Sequence, residues 1–147
     1  MRTMLAVMIV GLSLAAGAAP DDAAKKDFGQ MQGEWSMVSF EFDGRPSTPE
    51  DVKKGKRTCQ GNETTLTSDG QLIFKAKFTL DPTKKPRAID YRSLEGAWNG
   101  LSLLGIYEVE GDTLKFCLAE PGVDRPKEFS AKQGSRQILV VWKREKK

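Results

Sequence analysis

The chain has 147 residues, of which 23 are lysine or arginine and 20 are aspartate or glutamate, so its formal net charge is only +3. Because the two signs are interspersed, this composition excludes the concentrated basic surface of a nucleic-acid-binding protein. The chain contains no histidine, which excludes the Ser-His-Asp triad, the Cys-His pair and most zinc sites.

The first eighteen residues have the pattern of a secretory signal peptide. Arg2 precedes an uncharged, mostly apolar run over residues 4–16, and Ala16-Gly17-Ala18 supplies the small residues that signal peptidase accepts. The run is shorter than the about 20 apolar residues of a membrane-spanning helix, so cleavage after Ala18 is favoured over an uncleaved anchor. We therefore expect an exported protein, periplasmic or secreted, with no transmembrane span after cleavage.

The next segment is expected to hold a leader and a short helix. Residues 19–27 are small and charged and are predicted to be a flexible leader, and residues 28–147 to form one folded domain. A helix is predicted from about Asp22 to Met31, because its acids come early and its lysines later, as the helix dipole prefers. Gly33 is expected to follow its end.

From Gly33 onwards, apolar and polar residues alternate in short runs separated by turn residues, which is typical of antiparallel β-strands. One helical interruption is predicted at Pro49–Lys54, where Thr48 is suited to cap the helix and acidic residues occupy the first turn. The nine predicted strands cover residues 35–42, 57–60, 64–67, 71–80, 87–92, 101–109, 113–119, 128–131 and 137–143.

The clearest alternation lies in the predicted strand Gln71–Leu80. Its core face is expected to carry Leu72, Phe74, Ala76, Phe78 and Leu80. Lys75 and Lys77 fall on the other face, which is expected to meet water. We interpret the basic run that continues through Lys84, Lys85 and Arg87 as a solvated surface.

These strands and their mostly short hairpin loops predict an all-β protein. The expected architecture is an antiparallel up-and-down barrel of eight to nine strands with a short N-terminal helix, because closure removes unpaired strand edges. A sandwich is the alternative, and hairpin connections favour the barrel over it. Cys59 and Cys117 would lie on strands that are not neighbours in that order, so a disulfide between them is left open but not favoured.

The segment Gly33-Glu34-Trp35 resembles the G-x-W motif that opens the first strand of lipocalins. Further segments resemble, in the same order, one family of uncharacterised lipocalin-like domains that is abundant in planctomycete bacteria. The matching segments are residues 31–35, 80–84, 88–90, 104–108, 111–117 and 125–129. The resemblance implies a lipocalin-like barrel in which Trp35 closes one end and Lys143 or Arg144 covers its ring. It implies no established activity, so no catalytic residue, cofactor or metal is expected.

Several aromatic residues are candidates for lining a ligand cavity or its mouth. They are Phe74, Phe78, Tyr91, Trp98, Phe116 and Phe129. The interior of an eight-stranded barrel is either filled by side chains or holds one small ligand, and both possibilities stay open here. Trp98 lies between Gly96 and Gly100 in a loop predicted to be exposed. It is expected to cover the mouth, to contact a partner or a lipid surface, or to fold back onto the barrel.

We expect a non-catalytic exported domain that binds a small apolar or amphipathic molecule. The alternative is a module that presents the loops of a filled barrel, at residues 43–55, 95–100 and 120–127, to another exported protein. An enzyme is the least favoured hypothesis, because no motif pairs the carboxylates Asp81, Asp90, Glu108 and Asp112 in one cleft.

Overall fold

The computed structural model describes residues 20–146, and the predicted signal peptide lies outside the described residues. The elements are α1 (Pro20–Gln30), β1 (Gly33–Phe42), β2 (Arg45–Pro46), α2 (Pro49–Lys54), β3 (Gly55–Gln60), β4 (Glu63–Ser68), β5 (Gln71–Asp81), β6 (Ala88–Gly96), β7 (Ser102–Glu110), β8 (Thr113–Ala119) and β9 (Gln137–Arg144).

The strands form a closed antiparallel barrel. From β3 to β9 each strand pairs with the next in the chain, β1 pairs with β3, and β9 pairs with β1 to complete the cylinder. The short β2 pairs with the end of β1, so eight strands form the wall. The predicted up-and-down, lipocalin-like barrel is confirmed, and the alternative of a sandwich is wrong.

Helix α1 covers the end of the barrel at which β1 begins, which we call the closed end. The ring of Phe28 lies 5.5 Å from that of Phe78. Asp27 is buried, and its carboxylate accepts hydrogen bonds from the Tyr107 hydroxyl at 2.7 Å and from Arg87 at 3.1 Å. Residues 20–27 therefore belong to a helix that Asp27 attaches to the barrel, in most of the stretch for which the sequence predicted a leader over residues 19–27.

The strand predicted at residues 128–131 does not form. β8 pairs directly with β9 along its whole length, so no free edge remains for another strand. Residues 120–136 instead form a loop whose backbone is bonded to the outside of the barrel. The Cys117 thiol donates to the carbonyl of Ser130 at 3.2 Å, and Arg125 donates to the carbonyls of Ile89 and Gly105.

The alternation predicted for β5 holds over most of the strand. Phe74, Ala76 and Phe78 are buried and Lys77 is exposed. Leu72 departs from the prediction and is 44% exposed. The register explains why: Leu66 pairs with Phe74 but Thr67 pairs with Leu72, so Ile73 is an extra residue that reverses the phase of the strand.

The inward-facing side chains form one apolar core, with Trp35, Leu114, Phe116 and Trp142 almost fully buried. Both cysteines are buried and free. They cannot approach each other, because Cys59 belongs to the interior core whereas the thiol of Cys117 is bonded to the outer loop. Within residues 20–146, no helix is both long enough and apolar enough to cross a membrane.

Candidate ligand site inside the barrel

The closed end is sealed by Trp35 and Arg144. The Trp35 side chain is fully buried, and its indole N–H donates to the carbonyl of Met31 at 2.9 Å. The Arg144 guanidinium lies 4.3 Å from the centre of the indole and donates to the carbonyls of Gln30 and Gln32 at 2.5 and 2.7 Å. Lys143 and Arg144 were both predicted as the residue that covers the Trp35 ring. Arg144 occupies this position, and Lys143 is exposed. The contact closes this end against water.

Four of the predicted ligand-binding aromatics lie inside the barrel and contact one another. Tyr91 is their centre, with its ring 5.9 Å from Phe74, 5.9 Å from Phe78 and 6.0 Å from Phe116. All four side chains are at most 5% exposed. The interior is therefore occupied by aromatic rings in edge contact, which supports the filled interior over a wide open cavity.

Trp98 lies over the opposite end of the barrel, which we call the mouth. Its backbone has a positive φ of 56°, and its half-buried ring lies edge-on to Phe74 at 6.5 Å. The Ala97 N–H donates to the carbonyl of Ile73, and the Leu101 N–H to that of Trp98. These bonds fold the loop back, so the Trp98 ring covers the mouth and extends the row of interior rings.

Phe129 does not join the other predicted ligand-binding residues. It lies on the outside of the barrel, half-buried, with the Lys115 ammonium 5.0 Å from the centre of its ring. It borders an open hollow of about 600 Å³ that is also lined by Pro82, Arg87 and Tyr107. Its expected place among the interior rings depended on the strand at residues 128–131, and that expectation is wrong because the segment is an outer loop.

The most unusual interior residue, Arg57, was not among the residues that the sequence pointed to. Its Cα pairs with that of Trp35 on one side and Leu66 on the other. Its side chain is 1% exposed, and its guanidinium carbon lies 5.2 Å from the centre of the Phe116 ring. The alternation of β3 could have indicated this position. Arg57 and Cys59 face the same side of the strand, the interior, whereas Lys56 and Gln60 face the solvent.

Arg57 has few polar partners, although the Tyr91 hydroxyl and the Cys59 thiol lie beside its guanidinium. Its Nη1 donates to the carbonyl of Met31 at 3.4 Å, a long hydrogen bond. Its Nε and Nη2 are buried and have no hydrogen-bond partner among the described residues. No ion pair within residues 20–146 includes this guanidinium. Buried charges in proteins are normally paired, because an unpaired one costs several kcal/mol.

The neighbouring titratable groups cannot supply the missing negative charge at neutral pH. Burial raises the pKa of the Cys59 thiol above its ordinary value, although the nearby Arg57 opposes this rise. Burial likewise raises the pKa of the Tyr91 hydroxyl against the influence of the same arginine. Both groups therefore stay neutral, and the interior carries a net positive charge located on Arg57.

The described residues offer no grouping of acids and cysteines that could hold a metal ion. Asp90 pairs with Arg125 at 2.6 Å and Glu108 with Lys115 at 3.6 Å, so these two carboxylates form ion pairs on the outer wall. The interior itself presents a cation, Arg57, and a row of aromatic rings.

No family model matches the chain, and no curated protein is significantly similar to it in sequence. The resemblance to the lipocalin-like domain family therefore stays a prediction.

Proposed function

We propose that this chain is an exported, non-catalytic binding protein of the lipocalin-like domain family, and that its barrel takes up one small amphipathic molecule. The signal-peptide pattern at residues 1–18 supports export. The interior of an eight-stranded barrel is either filled by side chains or holds one small ligand. Because aromatic rings fill this interior in the ligand-free protein, uptake would require these rings to move apart.

The observation that carries the proposal is the buried Arg57 guanidinium, two of whose nitrogens, Nε and Nη2, have no hydrogen-bond partner. A barrel that served only as a rigid support would be more stable with an apolar side chain at this position, because desolvating an arginine without a counter-charge is costly. A ligand with a polar head would supply the missing partner. The long Met31 hydrogen bond and the Phe116 ring offset only part of that cost.

The row of rings supports an apolar body for the same ligand. Phe116, Tyr91, Phe74 and Trp98 follow one another from the vicinity of Arg57 to the mouth, with centres 5.9 to 6.5 Å apart. The half-buried Trp98 ring is the outermost of this row, so uptake would begin with its displacement.

The test is to titrate the ¹⁵N-labelled protein with decanol and, separately, with decanoate, and to follow the backbone amide signals. We expect saturable one-to-one binding of at least one compound, with the largest shifts around Tyr91 and Phe116. Absence of saturable binding by both compounds would contradict the proposal. So would shifts confined to the outer hollow beside Phe129.

A second candidate function is contact with another exported protein through the loops at the mouth. Two observations favour it: the interior is filled by aromatic rings, and Leu72, Ile73 and Leu101 are 44%, 48% and 50% exposed at the mouth. This function predicts that a partner captured from an extract of the source organism is lost on joint replacement of Leu72 and Leu101 by serine. Arg57→Met would leave that partner bound, whereas the preferred function places no requirement on Leu72 or Leu101.

A further inference from the structure

The free edge of the Arg57 guanidinium has a defined shape. Nη1 is the nitrogen that donates to Met31, and the two nitrogens without a partner are Nε and Nη2. In any arginine, the N–H bonds of Nε and Nη2 run parallel on one edge of the planar group. This edge forms the bidentate contact with a group that presents two oxygens side by side.

We propose that the barrel binds a monocarboxylate whose two oxygens accept hydrogen bonds from Nε and Nη2 of Arg57, with its apolar body directed along the rings towards Trp98. This inference depends on the proposed function and names the chemical class of its ligand. An alcohol or an amide offers one acceptor oxygen and no charge, so it leaves one N–H unpaired and the guanidinium uncompensated.

The surroundings of Arg57 restrict the ligand further. The Phe116 ring lies over the guanidinium, so a planar head would have to reach it along the edge of Nε and Nη2, which is buried in the ligand-free barrel. Two charged residues of the described chain are buried, Arg57 and Asp27. Asp27 is paired with Arg87, so the charge of Arg57 is the one that lacks a counter-charge. A single negative charge therefore balances the site, whereas a dianionic phosphate would leave one charge unpaired in an apolar interior.

The orientation follows from the places of Arg57 and Trp98. Arg57 pairs with Trp35 near the closed end, where Arg144 and α1 exclude water. Phe74 pairs with Gly96 near the mouth. A carboxylate at Arg57 would thus be the deepest part of the ligand, and its chain would lie between the closed end and the mouth.

The experiment measures the affinity of the full chain for decanoate, decanol and decyl sulfate by isothermal titration calorimetry. Wild type is compared with Arg57→Met, with Arg57→Lys, and with Arg92→Met as a matched control on the exposed face of β6. Circular dichroism and thermal unfolding check that each variant is folded. The comparison of decanoate with decanol needs only the wild-type protein, so it stands even if a variant does not fold.

We expect wild type and Arg92→Met to bind decanoate alike, and Arg57→Met to bind it about 10- to 100-fold more weakly. Arg57→Lys should also bind more weakly, because an ammonium lacks the parallel pair of N–H groups. Decanol should bind wild type more weakly than decanoate does and be insensitive to Arg57→Met.

The outcomes separate the two proposals. If decanol and decanoate bind the interior equally and Arg57→Met changes neither, the carboxylate inference is overturned and the proposed function stands. Decyl sulfate binding as tightly as decanoate would overturn the choice of a planar carboxylate head. If no compound binds, the proposed function fails and the inference fails with it.

Discussion

Arg57 is the residue at which the proposed function and the stability of the protein are expected to oppose each other. Its side chain is 1% exposed and two of its nitrogens lack partners, in a barrel whose other interior residues are mostly apolar or aromatic. If stability alone mattered, an apolar side chain would fill this space without the desolvation cost of a charge. Methionine has a similar length and no charge. The stability of the free protein and its affinity for an anion should therefore change in opposite directions at this position.

For that reason Arg57→Met should stabilise the ligand-free protein by about 1–3 kcal/mol, because it removes a desolvated charge and keeps most of the packing volume. Urea unfolding at neutral pH measures the change. Arg92→Met makes the same chemical substitution on the exposed face of β6 and should shift the free energy of unfolding by less than about 0.5 kcal/mol. A loss of more than 1 kcal/mol at Arg57 would show that the guanidinium serves to hold the barrel together.

Arg144 should behave in the opposite way, because its contacts are satisfied. Arg144→Ala removes the cation over Trp35 and two hydrogen bonds to the end of α1, and should cost about 1–3 kcal/mol of unfolding free energy. Lys143→Ala, at the exposed neighbouring position of β9, is the control and should be nearly neutral. Equal effects of the two substitutions in urea unfolding would refute the role given to Arg144.

Among the elements, α1 depends most on a few contacts. It is short, and helices of this length are marginal in water on their own. The Asp27 carboxylate holds it to the barrel through Tyr107 and Arg87. Burial, together with the hydrogen bond to Asp27, raises the pKa of Tyr107, so the hydroxyl keeps its proton and stays a donor.

Removing this carboxylate should release the helix. Asp27→Ala should cost about 1–3 kcal/mol, because a buried hydroxyl and an arginine lose their shared acceptor, and the amides of α1 should exchange with solvent faster than those of the barrel strands. Hydrogen exchange followed by NMR or mass spectrometry checks this. Asp22→Ala, an exposed position on the same helix, serves as the control. Unchanged protection of α1 in Asp27→Ala would rule out this attachment.

Periodicity was sufficient to predict the elements that belong to the wall of the barrel. The helix at Pro49–Lys54 and the strand at Thr113–Ala119 have the predicted bounds, since caps and alternation are local signals. The prediction of a strand at residues 128–131 was wrong for a reason that is not local. β8 and β9 already form backbone hydrogen bonds with each other, so no edge is left for another strand. The prediction that Leu72 faces the core was wrong because β5 contains one extra residue. That residue can be recognised only from the pairing of β5 with β4.

The candidate site was predicted only in its apolar part. Phe74, Phe78, Tyr91 and Phe116 follow from alternation within strands, and all four are interior. Arg57 is the first residue of the strand predicted at residues 57–60, a position at which a charged side chain is normally solvated. Its burial depends on β3 starting two residues earlier, at Gly55, which extends the inward phase across it.

At the scale of the whole molecule, the barrel buries four groups that ionise in base. Burial raises the pKa of Cys59, Cys117, Tyr91 and Tyr107 above their ordinary values. A pKa raised on folding means that the folded state retains protons that the unfolded chain releases. Stability is therefore fully present below the unfolded pKa values, about 8.5 for cysteine and 10 for tyrosine, and is lost as the pH rises above them.

Unfolding free energy should accordingly be nearly constant between about pH 7 and 8 and fall above about pH 9, by up to about 1.4 kcal/mol per pH unit for each ionising group. Urea unfolding across this range provides the measurement. Joint replacement of Cys59 and Cys117 by alanine should delay the onset of the fall to about pH 10, where the tyrosines begin to ionise. A stability that stays constant to pH 11 would contradict the burial of these groups.

The most direct test of a carboxylate-binding barrel is the side-chain N–H signal of Arg57 itself. In a ¹H–¹⁵N spectrum of the arginine Nε region, assigned by its absence in Arg57→Met, this signal should move downfield and exchange more slowly with solvent when decanoate is added, and should respond much less to decanol. An Arg57 signal that is unchanged while decanoate is bound would place the ligand elsewhere and remove the basis of the account.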